Sequence, residues 1–387
     1  MSITTKPVVL NVMDSSLVDL ERKGVLQSVC RLYNPQGAWQ RVLHFTPHER
    51  DLQLRGFLEP YGIEVYSHGV EGLSPLKALR TTYRFWKILK SEKVDIVRGR
   101  LPYLGSLMAG IASRLRGVPF VVSLGGDNRI VQEKNKQYNY NNRFLSYGIE
   151  WLVLKLANSI IVPNIYTARY VSKIIGSRNA ETKCVRIPWL SDPVTKKSAY
   201  ESKWGEHKQI VIVGFLNKYK FTDVIFDALK LLFSQNQMDV KGWNIVFCGD
   251  GPLKEAGEEL FKDCSQVKFV GWTQREKVHD YLNSAGIVLV PMSGFVLLEA
   301  ASLGKVVVTS DVEWHREMIC DGDTGRVVVA TDPQAWCDAI VDLICNFDRA
   351  TKMGAKLKVL YDQDYSPKAS IAAEVELYGR LTSWGQK

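Results

Sequence analysis

Short runs of β-branched and aromatic residues alternate with longer stretches of helical spacing along almost all of this 387-residue chain. Residues 8–12, 42–45, 63–66, 94–97, 120–124, 159–162 and 184–187 read as strands in the first half. In the second half the same signal covers 209–213, 245–247, 267–270, 286–290, 306–309 and 325–329. Helical patterns such as 76–89, 104–115 and 145–157 lie between strands. Parallel neighbours need a crossover between them, and crossover helices cover both faces of the sheet. The alternation therefore predicts an α/β protein with doubly wound parallel sheets. Residues 193–208 are polar and aperiodic and interrupt the pattern once. Two Rossmann-like domains are expected, 1–192 and 209–365, with 193–208 as the linker. In such sheets ligands bind outside the carboxyl ends of the strands.

Charge divides along the same boundary. Residues 1–200 hold 29 Lys and Arg against 15 Asp and Glu, a net of +14, and residues 201–387 hold 21 against 26, a net of −5. A basic half implies an anionic partner, either a nucleic acid or an anionic membrane. No DNA-reading motif accompanies the charge, and no G-x-G-x-x-G follows the first strand, which argues against a dinucleotide oxidoreductase. No apolar run reaches the length needed to span a bilayer, and the first residues lack a signal-peptide core. Seven cysteines without C-x-x-C pairing read as reduced thiols of a cytoplasmic protein. The six histidines show no metal-ligand spacing, and Asp321-Gly322-Asp323 reads as a turn, so no catalytic metal or separate cofactor is expected.

The run from Val290 to Val308 carries the most chemistry. A strand end passes Pro291, Met292 and a Ser293-Gly294 turn and enters a helix through Phe295, Val296 and Leu297; Gly304 closes it. A glycine turn opening a helix lets backbone N–H groups approach an anion, and the helix dipole favours negative charge there. Glu299, about one turn further in, is placed to accept hydrogen bonds from a sugar or ribose diol. Together they suggest a phosphorylated, hydroxyl-rich ligand such as a nucleotide-sugar.

This run resembles the donor-site signature of family-4 glycosyltransferases of the GT-B fold, usually E-G-F-G-x-x-x-L-E-A. Three further blocks agree in order. Gly214 to Lys220 is similar to the family's G-R-x-x-x-x-K stretch, Gly249-Asp250-Gly251-Pro252 to its G-D-G-P turn, and Gly271-Trp272 to the strand end against the nucleobase. The resemblance implies two Rossmann-like domains facing a cleft, with a C-terminal helix from about 366 to 387 returning to the first domain. It implies a retaining transferase that uses a nucleotide-sugar, and a UDP-linked donor is expected in preference to a GDP-linked one.

On that reading Lys220 stabilises the leaving diphosphate and Glu299 binds the ribose. Lys218 is a substitute for the family's arginine, whose position holds Phe215. Gly214, Gly249, Asp250, Gly251, Trp272, Ser293, Gly294, Phe295, Val296 and Leu297 border the donor. The family's first signature carboxylate falls on Pro291. Its His-Gly in the first domain is replaced by Gly125-Gly126, leaving Asp127 and Arg129 as candidates beside the reacting sugar. Asp14 after the first strand, Lys23-Gly24 opening the next helix, and Arg100 closing the fourth strand are weaker candidates. The expected acceptor is a glycan or lipid-linked molecule in polysaccharide or glycoconjugate assembly. In the 75–90 segment Leu76, Leu79, Tyr83, Trp86 and Leu89 fall at helical spacing beside Lys77, Arg80, Arg84, Lys87 and Lys90. That pattern suits either packing on the sheet with a solvated basic band, or peripheral contact with the inner face of an anionic membrane. The departures at Phe215, Gly125 and Pro291 also admit a catalytically degenerate partner or scaffold.

Overall fold

The computed structural model describes residues 6–22, 26–67, 75–126, 143–189, 208–234, 242–292 and 294–382. They divide into two compact units, Met1–Leu190 with Ser370–Lys387, and Ser191–Ala369.

In the first unit β1 (Val8–Val12), β2 (Arg41–Thr46), β3 (Ile63–Ser67), β4 (Ile96–Gly99), β5 (Phe120–Ser123), β6 (Ser159–Val162) and β7 (Cys184–Arg186) form one parallel sheet. Their order is β3-β2-β1-β4-β5-β6-β7, so the chain reverses direction across the sheet between β1 and β4. Period-2 alternation sends Leu10, Val12, Phe45, Val97 and Val122 to one face, and Val9, Val42, Val65, Ile96 and Val121 to the other. Helices α1 (Leu17–Arg22) and α2 (Leu26–Tyr33) cover the second face. The first face is covered by α3 (Pro75–Ser91), α4 (Leu104–Arg116), α5 (Arg143–Leu156) and α6 (Ile165–Ile175).

In the second unit β8 (Gln209–Val213), β9 (Asn244–Cys248), β10 (Val267–Gly271), β11 (Ile287–Val290), β12 (Val306–Ser310) and β13 (Arg326–Val328) take the order β10-β9-β8-β11-β12-β13, again all parallel. Here the reversal falls between β8 and β11. The helices that matter below are α7 (Thr222–Ser234), α8 (Arg275–Ser284), α9 (Gly294–Ser302), α10 (Pro333–Cys345) and α11 (Phe347–Leu360). Trp336 of α10 is fully buried against a core of Ile225, Leu229, Phe247, Val306 and Val308. Two Rossmann-like parallel α/β units are thus present, as the alternation predicts.

Two local expectations change. The fourth strand lies two residues later than 94–97, because Lys93 takes φ +50° to close α3 and the Val94 N–H bonds back to the Leu89 carbonyl. Val94 therefore belongs to a helix exit, although it is buried. In α3 the buried residues are Thr81, Phe85 and Leu89, while Leu76, Leu79 and Tyr83 are exposed. Phe85 wins the inward position because it meets Phe45 edge-on, 5.1 Å between ring centroids.

The last helix, α12 (Pro367–Leu381), places Leu377 and Tyr378 in the first unit's core, with Tyr378 4.8 Å from Trp39 by ring centroids. Its Glu374 forms a buried ion pair with Arg98 of β4, and Arg98 also donates to the Tyr378 hydroxyl at 2.8 Å. Removing one partner of a buried pair leaves the other charge desolvated. Glu374→Ala is therefore expected to cost about 3–5 kcal/mol. The paired change Arg98→Met with Glu374→Leu should recover most of that loss, read as urea midpoints.

Candidate functional site

Three of the sequence blocks meet at the carboxyl ends of β8, β9 and β10. The Gly214 N–H bonds to the Cys248 carbonyl at 3.0 Å, Leu216 N–H to Asp250 O at 2.8 Å, and Leu253 N–H to Leu216 O at 3.1 Å. The Gly249 N–H reaches Gly271 O at 3.0 Å. This approach excludes side chains. A Cβ on Gly249 would lie 1.8 Å from the Gly214 carbonyl oxygen, and one on Gly251 2.4 Å from that of Leu216. Both glycines also have φ +152°. The G-D-G-P turn is thus a backbone seam holding the β8 exit loop, and Gly251 N–H is further tied to its neighbour's Asp250 Oδ1 at 2.8 Å.

Beyond the seam the β8 exit loop folds into a single 3₁₀ turn, Lys218–Lys220. The Asn217 side chain accepts from the Lys220 N–H at 2.9 Å, and Phe221 at φ +54° turns the chain into α7. That turn separates the two lysines. Lys218 is exposed, whereas the Lys220 ammonium is drawn inward and donates to the Met292 carbonyl at 2.7 Å. Lys220 thereby bridges β8 and β11, the two strands at the reversal point. Burial pulls its pKa below the ordinary lysine value, opposed by Glu313. A small cavity between Gly214, Phe215, Lys220, Thr222, Pro291 and Met292 marks the same place. A cavity of about 550 Å³ lies at the outer edge of the first unit's sheet, beside Arg41, Glu64 and Tyr66, and contains none of the predicted residues.

The floor of this site is polar and buried. The Thr309 hydroxyl donates to the Val290 carbonyl at 2.8 Å and lies 2.8 Å from His315 Nδ1. The Ser310 hydroxyl holds the Pro291 carbonyl. Where the family signature has its first carboxylate, this chain therefore has a buried proline whose carbonyl is already engaged.

Helix α9 begins at Gly294 on the far side of β11. Val296 and Leu297 are buried, so what they offer a ligand is the unpaired N–H groups of a first helical turn. Phe295 is exposed. Glu299 is 8% exposed and is met by two residues of α8, Arg275 Nη2 at 3.2 Å and His279 Nε2 at 3.6 Å from Oε1. Sequence reasoning missed both; the signal was a basic pair at i, i+4 opening the helix after Trp272. Trp272 is 72% exposed, leaving a ring face open for stacking rather than filling the interior. Phe215, at the family's arginine position, is likewise exposed.

Asp127, Arg129, Ser293, Lys23 and Gly24 lie outside the described residues. In the first unit, Arg100 follows β4 at the reversal point between β1 and β4. Its Nε donates to Asn11 Oδ1 at 2.8 Å and its guanidinium lies 4.6 Å over the Tyr33 ring. No carboxylate pairs with it among the described residues. Burial, with Arg98 nearby, lowers it to about 9. Asp14 stands after β1 with its carboxyl raised to about 6 by burial. Asp321 and Asp323 pair with Arg326 and Lys356, as turn carboxylates do. Among the described residues no cluster of three His, Cys, Asp or Glu is arranged to hold a metal ion.

Burial pushes His315 down to about 4, with Lys220 adding to the effect. Between that value and the ordinary 6.5 the unfolded chain binds a proton that the folded chain refuses, so stability falls as pH drops through this window. The stability advantage of the native protein over His315→Gln should shrink by about 3 kcal/mol between pH 7 and pH 4, measured as paired urea midpoints.

Residues 207–346 match the family described as "Glycosyl transferases group 1". A D-inositol 3-phosphate glycosyltransferase of Corynebacterium urealyticum is 29% identical over 189 residues, covering 45% of this chain and 43% of that protein. A phosphatidyl-myo-inositol mannosyltransferase of Mycobacterium leprae is 32% identical over 162 residues, 39% of this chain and 42% of that protein. The chain thus spans less than half the length of these relatives. Over whole chains, a glycosyltransferase of Rickettsia africae superposes with TM-score 0.72 at 15% identity, covering 97% of this chain and 98% of the other. Anabaena HepE in complex with UDP gives TM-score 0.72 at 15% identity, covering 97% and 100%. The fold of this chain is that of the GT-B glycosyltransferases, and its second unit carries the group 1 glycosyl transferase pattern.

Proposed function

We propose that this protein is a retaining glycosyltransferase that moves a sugar from a nucleotide-sugar, UDP-linked in preference to GDP-linked, to a glycan or lipid-linked acceptor. The observation that carries the reading is the position of Lys220. A half-buried ammonium bridges the two strands at the reversal point of the second unit, beside a backbone seam and the opening of α9. Burial raises the electrostatic worth of that charge to a departing diphosphate, because little water screens it. N–H groups at the start of α9 complement the same negative charge. Glu299, held by Arg275, suits the ribose hydroxyls, and the open face of Trp272 suits the base. Gly214, Gly249, Asp250 and Gly251 shape the wall through their backbone. Two similar proteins support nucleotide-sugar chemistry by their own descriptions: HepE with UDP and a GDP-mannose-dependent mannosyltransferase of Mycobacterium tuberculosis. Arg100, a guanidinium without a carboxylate partner among the described residues, suits an anionic group on the acceptor. Asp127 and Arg129 are kept as candidates beside the reacting sugar, and no metal or further cofactor is invoked.

Phe215 in place of arginine and Pro291 in place of a carboxylate favour a second reading, a degenerate relative that binds a partner and transfers nothing. Calorimetry with UDP, GDP and ADP, followed by turnover of the matching nucleotide-sugars, separates the two. Glu299→Ala is expected to weaken the selected nucleotide about tenfold, as loss of a charged hydrogen-bond acceptor does. Lys220→Ala should lower kcat about 100-fold or more with the fold intact by circular dichroism. Turnover by Lys220→Ala equal to the parent's would sink the transferase mechanism, and nucleotide binding without turnover of any conjugate would install the scaffold reading.

A further inference from the structure

Helix α3 has two apolar faces. Thr81, Phe85 and Leu89 face the sheet and are buried. Leu76, Leu79 and Tyr83 are 60%, 68% and 62% exposed, and their spacing aligns them as one outward stripe. The exposed Lys77, Arg80, Arg84 and Lys87 border that stripe. The neighbouring helix α4 leaves Ile111 and Leu115 open beside Arg114. Next to α4, α5 leaves Trp151 and Leu152 open, with the Lys155 ammonium 6.0 Å from the Trp151 ring centroid. Because α3, α4, α5 and α6 form one layer on one face of the sheet, their outward sides make a single surface.

Charge decides what that surface fits. The four helices contain one carboxylate, Glu150, and it is buried, accepting from the Tyr170 hydroxyl at 2.6 Å. Every exposed charged side chain on these helices is therefore cationic. Exposed leucines and aromatics ringed by Lys and Arg cost free energy in water, yet each has a place in a lipid interface. The apolar side chains enter the headgroup–acyl boundary, the aromatic tips stay at headgroup level, and the cations meet phosphates. Arg116 supports the arrangement: it stacks 3.4 Å over Trp86 and donates to the Trp86 carbonyl at 2.9 Å, bracing α4 against α3.

We propose that the outer face of α3, α4 and α5 docks on an anionic phospholipid bilayer, with Leu76, Leu79, Tyr83, Leu115 and Trp151 as the inserting residues. The inference rests on the first unit alone and holds whichever donor the second unit takes. The test is co-sedimentation of the full chain with phosphatidylcholine vesicles, with and without phosphatidylglycerol. Binding is expected to the anionic vesicles, rising with their phosphatidylglycerol content and falling with salt. Leu79→Glu with Tyr83→Glu should reduce partition onto the anionic vesicles about tenfold or more. Arg80→Ser with Arg84→Ser should cause a loss of partition that added salt deepens less than it does for the parent chain. Nucleotide affinity, measured on the same proteins, should be unchanged in both pairs, which separates this surface from the donor site. Failure of the parent chain to bind anionic vesicles, or binding undiminished by either pair, overturns the proposal. So does a vesicle-free change in oligomeric state on introducing Leu79→Glu with Tyr83→Glu, which would assign the face to a second copy.

Discussion

The second unit depends on a close approach of backbone to backbone. The turn after β9 lies so near the β8 exit loop that neither Gly249 nor Gly251 has room for a Cβ, and three N–H···O bonds fasten the two segments. That seam sets where the 3₁₀ turn begins, and the 3₁₀ turn sets where Lys220 points. A side chain at either glycine would move the loop that carries the ammonium. The chain therefore uses its most constrained backbone next to its most chemically suggestive charge, where a small displacement costs the most.

Both units bury charge at the strand pair where the topology reverses, and they satisfy it differently. In the second unit Lys220 faces a carbonyl, with a neutral imidazole beneath it; burial keeps His315 uncharged, which avoids a second cation beside the first. In the first unit Arg98 is neutralised by Glu374 and hydrogen-bonded to Tyr378 of α12, while Arg100, on the same strand end, meets Asn11, the Leu32 carbonyl and the Tyr33 ring. One arginine has a carboxylate partner and the other, among the described residues, has none. The same economy shows at the start of α1, where the Asp51 carboxylate accepts from the Leu17 and Val18 N–H groups at 3.0 and 3.1 Å and from the Ser16 and Thr46 hydroxyls. These bonds outweigh burial and hold Asp51 below the usual carboxylate range. The rim of that loop is fixed from inside the protein, not by solvent.

Much of this was legible in the residue order. Parallel strands buried on both sides must be rich in Val and Ile, so the central strands show as apolar runs, and the G-D-G-P turn shows because only glycine fits. Lys220 stood out through the family resemblance and Glu299 by its place one turn into the helix after a glycine turn; that the first is drawn inward and the second is buried comes from the fold. The miss at the fourth strand has a local cause: Val94 is apolar and buried but belongs to a helix exit, and burial alone does not distinguish the two. The face of α3 was ambiguous because two apolar stripes share one helix, and only contact with Phe45 decides which goes in. Arg275 and His279 showed only as a basic i, i+4 pair, and their partner was hidden because they reach Glu299 from another helix, 24 and 20 positions earlier in the chain.

The sequence by itself determined the alternation of strand and helix, the division into two units, and the positions of the glycine turns, because each follows from local backbone geometry and period. Tertiary structure alone decided the rest. It turned Lys220 inward and left Lys218 exposed, gave Glu299 its cationic partners, separated Arg98 from Arg100, and put Leu76, Leu79 and Tyr83 outside. In every case the deciding quantity was which neighbour a side chain met and how much water remained around it, and neither is a property of the chain read along its length.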